Sequence, residues 1–166
     1  MPTENYWVQH FLDSLIAIEC LELSEQTILD FGTGAGLPGI PLKLVVPDCG
    51  MVLLDSIHKK TKVLAEISEA LSLTETSVEC ARVEDYAFLA RRPSFDLILC
   101  RAVAMEERYL PPLRRLLKPS GKVVMYKSHN LDDLDGIRYE VILEKEDEHL
   151  GYRRLVSIAH RELMKR

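Results

Sequence analysis

The sequence has 166 residues, 47% of them hydrophobic, which is enough for one globular domain with its own core. Asp and Glu (26) outnumber Lys and Arg (21), so the chain as a whole is not a basic nucleic-acid-binding surface. No apolar run approaches the roughly 20 residues that a membrane helix needs, and residues 1–15 lack a signal-peptide pattern. We therefore predict a cytoplasmic protein that does not associate with membranes, with residues 1–166 forming a single domain. We expect it to be a monomer.

The predicted elements alternate between strands and helices after an N-terminal helix, according to the spacing of apolar residues. In chain order they are a helix at residues 5–19, a strand at Thr27–Phe31, a helix at Pro38–Val46, a strand at Gly50–Asp55, a helix at Lys59–Leu73, strands at Thr76–Ala81 and Phe95–Arg101, a helix at Leu113–Leu117 and a strand at Lys122–Lys127. The apolar faces predicted for the first and third helices consist of Trp7, Val8, Phe11, Leu12, Leu15 and Ile16, and of Val63, Leu64, Ile67, Ala70 and Leu71.

The last two predicted strands break this alternation. A short polar turn separates Arg138–Lys145 from Arg153–Ala159, and it is too short for a helical crossover, so the two strands must pair antiparallel. The earlier strands are almost continuously apolar, which indicates an α/β sheet with helices on both faces. A mostly parallel, twisted sheet that ends in an antiparallel hairpin is the Rossmann-like layout of class I methyltransferases, and ordinary dinucleotide-binding folds lack the hairpin.

A glycine-rich loop, FGTGAGLPG at residues 31–39, follows the first strand. Open α/β sheets bind ligands at the carboxyl ends of their strands. Read from Gly34, the loop fits the dinucleotide pattern GxGxxG, but that pattern starts immediately after the strand, where the string is instead Asp30-x-Gly32-x-Gly34-x-Gly36. This register favours S-adenosylmethionine, whose ammonium group needs an acceptor such as Asp30 or nearby carbonyls. A glycine-rich turn without a ligand is the alternative, although so many glycines lower stability.

Asp55 ends the second strand, where a carboxylate can accept hydrogen bonds from both ribose hydroxyls of an adenosine. Dinucleotide sites and methyl-donor sites share this role, so Asp55 indicates a nucleoside without distinguishing between them. Helix capping together with Ser56 is a compatible alternative.

Five strings carry a family resemblance: QHFLDSL (9–15), ILDFGTGAGLPGIPL (28–42), LLDSIHKK (53–60), ARVEDY (81–86) and CRAVA (100–104). With them, roughly residues 9–128 resemble the glucose-inhibited division protein B (GidB, or RsmG) family of small-subunit rRNA guanine-N7 methyltransferases. The resemblance implies S-adenosylmethionine as the cofactor and small-subunit rRNA, or its assembly intermediate, as the partner. Family members usually carry more residues at both ends, so we expect residues 1–22 to be a shortened N-terminal helical segment.

The resemblance also implies site residues. Donor contacts fall on Gly32 and Leu37 in the loop, on Val83 and Glu84 after the third strand, and on Arg101 at the end of the fourth. For Glu84 the alternative is a solvated carboxylate, and for Arg101 it is an ion pair with Asp55 or Glu84. Substrate-binding candidates are His10, Arg101 and Lys127.

Methylation of guanine N7 needs no general base, because N7 has a lone pair and no proton to remove. We predict no metal site, because Cys20, Cys49, Cys80 and Cys100 are far apart and are expected to be buried free thiols. Basic groups that can meet RNA phosphates, or that simply form solvated faces, are Arg91, Arg92, Arg114, Arg115, Lys118, Lys127, Arg153 and Arg154. Three other functions stay open: a small-molecule methyltransferase, a non-catalytic module that binds an adenosyl ligand or RNA, and a dinucleotide oxidoreductase.

Overall fold

The structure, a computed structural model, describes residues 7–164 and contains a mixed β-sheet flanked by helices. The strands are β1 (Thr27–Phe31), β2 (Gly50–Asp55), β3 (Thr76–Cys80), β4 (Phe95–Arg101), β5 (Leu117–Lys127), β6 (Glu140–Asp147) and β7 (Gly151–Ala159). The helices are α1 (Gly39–Val45), α2 (His58–Ala70), α3 (Val83–Leu89) and α4 (Leu110–Leu116). An N-terminal helical segment changes from a π-helix (Trp7–Leu12) to an α-helical turn (Asp13–Leu15) and a 3₁₀ turn (Ile16–Glu19). Within residues 7–164, no helix is both long and apolar enough to span a bilayer.

The seven strands found in the described part of the chain lie in the order β3-β2-β1-β4-β5-β7-β6. Strands β1 to β5 pair in parallel, whereas β7 pairs antiparallel with both β5 and β6. The predicted α/β sheet with a C-terminal antiparallel hairpin is therefore confirmed. From β1 the chain first builds outward through β2 and β3 and then returns to β4 on the other side. The point between β1 and β4 is where such a sheet opens a crevice for ligands.

Helices cover both faces of the sheet because each central strand is almost continuously apolar, so that successive residues bury against opposite faces. On β4, Leu97 and Leu99 join the core beneath α1, α2 and the N-terminal helical segment. Ile98 and Cys100 join the core beneath α3 and α4. The loop that connects β1 to α1 therefore lies at the carboxyl edge, held between two packed layers.

Two predicted apolar faces are partly wrong. Leu12 is 51% exposed, whereas the polar residues Asp13 and Ser14 are buried, because the segment mixes three helix types and does not keep a period of 3.6 residues. On α2, Leu64 is buried and Ile67 is half-buried, but Val63, Ala70 and Leu71 are exposed, since the helix presents only a narrow stripe to the sheet. Residues 5 and 6 and the side chains of Trp7 and Val8 lie outside the described residues.

Helix α3 was not predicted from the sequence. Its two buried residues, Val83 and Ala87, are one helical turn apart. The apolar residues at its other end face solvent, with Phe88 80% and Leu89 77% exposed. A helix of two turns with so few buried positions has no amphipathic pattern that a sequence reading can detect.

Candidate functional site

The glycine-rich loop leaves β1 in a conformation that needs glycine. Gly32, Gly34 and Gly36 have φ values of +72°, +59° and +86°, in the left-handed region that L side chains rarely adopt. A Cβ atom on Gly32 would also lie 2.6 Å from Cγ2 of Val103. The backbone N–H groups of Gly32 and Thr33 both donate to the carbonyl of Leu54 on β2, at 2.9 and 3.1 Å. The loop is therefore a fixed backbone surface.

Asp30 holds this loop in place through two hydrogen bonds. Its Oδ2 atom accepts hydrogen bonds from Thr33 Oγ1 (2.6 Å) and from the backbone N–H of Gly39 at the start of α1 (2.8 Å). The side chain is fully buried, and among the described residues its Oδ1 atom has no hydrogen-bond partner. Burial raises the pKa of Asp30 to about 6, although the hydrogen bonds from Thr33 and Gly39 and the charge of Arg101 oppose the increase. The site thus keeps a buried carboxylate with one oxygen unused.

Asp55 links the loop to the end of β2. Its Oδ2 atom accepts a hydrogen bond from the Gly34 N–H (3.0 Å), and its Oδ1 atom accepts one from the Ile57 N–H (2.9 Å). Lys60 Nζ lies 3.8 Å from Oδ2. Helix α2 has Ile57 at its N-cap and no side-chain cap, so Asp55 orders the turn before the helix without capping it together with Ser56. A carboxylate has about four acceptor positions, so both oxygens retain capacity for a ligand.

A cleft of about 440 Å³ opens at the carboxyl edge, between the ends of β1, β2, β3 and β4. This volume is within the range of small-molecule sites. Of the predicted donor-site residues, four line it: Gly32, Asp55, Val83 and Glu84. Among the described residues, the other predicted members of the site do not line this cleft: Asp30, Gly34, Gly36, Leu37 and Arg101. Asp30 and Gly34 act on it through the hydrogen bonds that shape the loop.

Arg101 turns toward the N-terminal helical segment. Its Nε atom lies 3.1 Å from Asp13 Oδ2, so among the described residues Arg101 pairs with Asp13, whereas the alternative to a donor contact was an ion pair with Asp55 or Glu84. Its Nη1 atom donates to the His10 carbonyl (3.2 Å), and Nη2 lies 3.3 Å from His10 Nδ1. Two of the three predicted substrate residues, His10 and Arg101, are therefore in contact. Asp13, to which the sequence analysis assigned no role, holds this contact together.

The third predicted substrate residue, Lys127, lines a second cavity of about 420 Å³ at the carboxyl ends of β4 and β5. It forms an ion pair with Asp133, which also accepts a hydrogen bond from the Met105 N–H at 2.7 Å. The second cavity and the cleft share Ala102 and Val103 as lining. Ala102 has a φ of +58°, unusual for a residue with a Cβ atom. Strained backbone of this kind tends to lie at functional sites.

Two lining residues of the cleft have no sequence signal. Tyr109 packs edge-to-face against Phe31, with ring centroids 5.1 Å apart. The Nη1 atom of Arg108 lies 3.8 Å from Glu84 Oε1, and Arg108 also forms an ion pair with Glu106. Both residues lie in a short 3₁₀ helix (Glu107–Tyr109) before α4 that carries no sequence motif, so the topology alone brings them to the cleft.

No group of three or more His, Cys, Asp or Glu residues in the described part of the chain is arranged to hold a metal ion. All the cysteines are free thiols, and Cys49 and Cys100 are buried as expected. The expectation is wrong for Cys80, which is exposed, because it ends β3 at the edge of the sheet.

Comparison with known proteins identifies the family. The family model GidB, rRNA small subunit methyltransferase G, matches residues 2–155. This chain belongs to the GidB family. The resemblance seen in the sequence is thereby confirmed, and the GidB strings ILDFGTGAGLPGIPL and LLDSIHKK supply the loop and Asp55 of the cleft.

Individual relatives agree with the GidB assignment. The ribosomal RNA small subunit methyltransferase G of Nitrosococcus oceani is 45% identical over 121 residues, covering 72% of this chain and 53% of the relative. That of Lachnoclostridium phytofermentans is 37% identical over 134 residues, covering 79% of this chain and 55% of the relative. The chain thus spans about half the length of the curated relatives that it matches.

Solved structures support the class I methyltransferase fold. A SAM-dependent methyltransferase from Aquifex aeolicus superimposes with a TM-score of 0.69, covering 93% of each chain at 19% identity. A precorrin-6y C5,15-methyltransferase from Geobacter metallireducens gives a TM-score of 0.65, covering 89% of this chain and 86% of that one at 14% identity. At these identities the agreement concerns the fold alone.

Proposed function

We propose that this chain binds S-adenosylmethionine in the cleft and methylates N7 of a guanine in small-subunit rRNA. The observation that carries the donor assignment is the rigid glycine-rich loop with Asp55 beside a cleft of about 440 Å³ at the crevice of the sheet. Membership of the GidB family supports the rRNA acceptor. We also propose that the enzyme acts in the cytoplasm, as a monomer with one domain.

The cleft has complementary groups for each part of this donor. Asp55 has free acceptor positions for the ribose hydroxyls. Val83 and Glu84 begin α3 at the wall of the cleft, where their backbone groups can hydrogen-bond to the adenine edge. The negative charge of Asp30, buried behind the loop, is proposed to attract the ammonium group, and nearby carbonyls are its proposed hydrogen-bond acceptors. Leu37 lies in the loop, and its donor contact remains part of the proposal. When bound, S-adenosylmethionine supplies an electrophilic methyl group on a sulfonium.

The second cavity is the proposed place for the acceptor base. It lies on the other side of Ala102 and Val103 from the cleft and is lined by Lys127. Because guanine N7 is already nucleophilic, the residues here need only hold the base in line with the methyl group, within about 3–3.5 Å. The ion pair of Lys127 with Asp133 leaves little net positive charge beside the base, which suits a reaction that makes the base cationic. His10 and Arg101, held by Asp13, are proposed to bind substrate from the adjoining side.

We expect Asp55→Ala to weaken S-adenosylmethionine binding by about 2 kcal/mol, the typical loss for hydrogen bonds to a charged group. The variant also loses the hydrogen bonds to Gly34 and Ile57, so the thermal midpoint is measured beside the calorimetric affinity. Asp48→Ala serves as a control, because Asp48 accepts a hydrogen bond from Ser24 on the surface. Unchanged affinity in a destabilised Asp55→Ala variant would assign Asp55 a structural role only.

The proposed function is tested by titrating the protein with S-adenosylmethionine and with NAD, then incubating it with labelled donor and unmodified small-subunit rRNA. We expect binding of S-adenosylmethionine, no binding of NAD, and 7-methylguanosine in the digested RNA by mass spectrometry. Donor binding without transfer to RNA would contradict the rRNA assignment and favour a small-molecule acceptor or a binding module. Binding of NAD alone would overturn the donor assignment.

A further inference from the structure

A basic groove is lined by residues from both ends of α4. It has a volume of about 780 Å³. We call it the arginine groove and define it by Arg91, Arg92, Arg114 and Arg115 over a floor that includes Leu110 and Leu163. Arg91 and Arg92 come from the connection between α3 and β4, and Arg114 and Arg115 from the end of α4. Elements distant in sequence thus place four guanidinium groups around one surface depression.

The positive charge of the arginine groove is not neutralised. Within residues 7–164, none of its four arginines forms an ion pair with a carboxylate. Arg115 instead donates to the carbonyls of Ala87 and Ala90 at the end of α3, at 2.7 and 3.1 Å. Nearby Glu162 pairs with Arg161. In a chain of net charge −5, this is a local concentration of positive charge that an anionic partner can use.

Exposed apolar side chains adjoin the same arginines. Phe88 is 80% and Leu89 77% exposed at the end of α3. A further cavity of about 430 Å³, lined by Leu89, shares Arg91 and Arg92 with the arginine groove. Single-stranded nucleic acids bind surfaces that combine exposed aromatic rings with guanidinium groups, through stacked bases and paired phosphates, and Phe88 stands three residues before Arg91 in the sequence. An acidic protein segment would pair with the arginines but would supply no base to stack on the Phe88 ring.

We propose that the arginine groove is a second RNA-binding surface, which takes the phosphates of a single strand on its arginines and stacks a base on Phe88. The groove begins at Leu110 and Pro111, which directly follow Tyr109 at the rim of the cleft. Helix α4 has 7 residues and is about 10 Å long, so the strand passes from the rim toward Arg92 over a short distance. The identity of this RNA as the rRNA substrate rests on the proposed function.

The test compares two variants of equal charge. Arg92→Gln/Arg114→Gln removes two guanidinium groups from the arginine groove but spares Arg115, which supports α3. Lys62→Gln/Arg138→Gln removes two exposed positive charges elsewhere on the chain. Binding of a fluorescent transcript of small-subunit rRNA is measured across a salt series. We expect the groove variant to lower the slope of log K against log salt by about 1.4, or about 0.7 per lost contact with a single strand. The control should keep the wild-type slope.

Phe88→Ala tests the stacking contact separately. We expect RNA binding to weaken roughly 5- to 150-fold with an unchanged salt slope, as for the loss of one stacked base. Because Phe88 is exposed, the variant should keep the wild-type thermal midpoint and affinity for S-adenosylmethionine. Wild-type RNA affinity in both Phe88→Ala and the groove variant would overturn the proposal and leave the surface to a protein partner.

The same samples distinguish this proposal from the proposed function. RNA binding that is weakened in the groove variant supports the arginine groove, even if the wild-type protein transfers no methyl group and the proposed function fails. Normal methyl transfer with unaltered RNA binding in the groove variant overturns the arginine groove and leaves the proposed function intact. A wild-type protein that binds no RNA overturns both.

Discussion

Replacing Asp30 with Asn is expected to abolish a loss of stability of about 3 kcal/mol that the wild type shows between about pH 4 and pH 6, and to weaken donor binding. Burial raises the pKa of this carboxyl from 3.8 to about 6, and each pKa unit corresponds to about 1.4 kcal/mol. Between these two values the folded state binds more protons than the unfolded state. Stability therefore falls as the pH rises from about 4 to about 6 and stays lower above that range. Asn carries no charge, so its variant should lack this decline.

Denaturant unfolding of both proteins from pH 4 to pH 8 measures the effect. Asp96→Asn provides a control of opposite sign, because the hydrogen bond from Lys118 lowers the pKa of Asp96 although partial burial opposes it. That carboxylate contributes stability at neutral pH, and the contribution is lost as the pH falls through its lowered pKa. If the wild type and Asp30→Asn showed the same pH dependence of stability over this range, Asp30 would not carry a buried charge. If donor affinity stayed unchanged, the charge of Asp30 would have no role in donor binding.

Gly32→Val is expected to reduce S-adenosylmethionine binding by at least about 100-fold, or about 2.7 kcal/mol. The backbone at this position has a φ of +72°, and any Cβ atom would approach Val103 Cγ2 to 2.6 Å. Relief of that contact requires the loop or Val103 to move, and both line the cleft. Calorimetric titration of the variant, after circular dichroism shows that it is folded, measures the loss.

Gly136→Val is the matched control for backbone strain. Gly136 has nearly the same φ, +75°, but an added Cβ atom would have nothing within 4 Å. Both variants therefore carry the penalty of a left-handed residue, and only Gly32→Val adds a steric contact at the cleft. We expect Gly136→Val to lower the thermal midpoint while keeping wild-type donor affinity. Equal affinities in the two variants would show that the loop does not approach the ligand.

The sequence predicts this fold well where burial is simple. Strands β1, β2 and β4 begin and end where predicted, because both of their faces are buried and their residues are almost continuously apolar. The position of the cleft follows from topology, since glycines after β1 and a carboxylate after β2 must meet at one edge. Helix α3 was missed because its apolar end faces solvent.

Contacts between distant segments could not be predicted. Arg101 was expected near the donor, and its position at the end of β4 is as predicted. The direction of its side chain depends on the ion pair with Asp13 in the N-terminal helical segment. A pairing between residues so far apart in the sequence cannot be predicted from the local sequence pattern. The polar residues Asp13 and Ser14 also interrupt the apolar face predicted for this segment. Their burial is explained by contacts with two arginines: Arg101 contacts both Asp13 and Ser14, and Arg153 contacts Asp13.

Asp13 connects the N-terminal helical segment to β7. Its Oδ1 atom accepts a hydrogen bond from Arg153 Nε on β7 at 2.7 Å, across 140 residues of sequence. At about 5–20 residues per second, a ribosome needs roughly 7–28 s to synthesise that interval. Until β7 emerges, Asp13 lacks this partner and β6 lacks its neighbour in the sheet. The residues that hold the glycine-rich loop, Asp30, Leu54 and Asp55, are thus synthesised close to it in time, whereas the N-terminal helical segment gains its contact with Arg153 only after β7 has emerged.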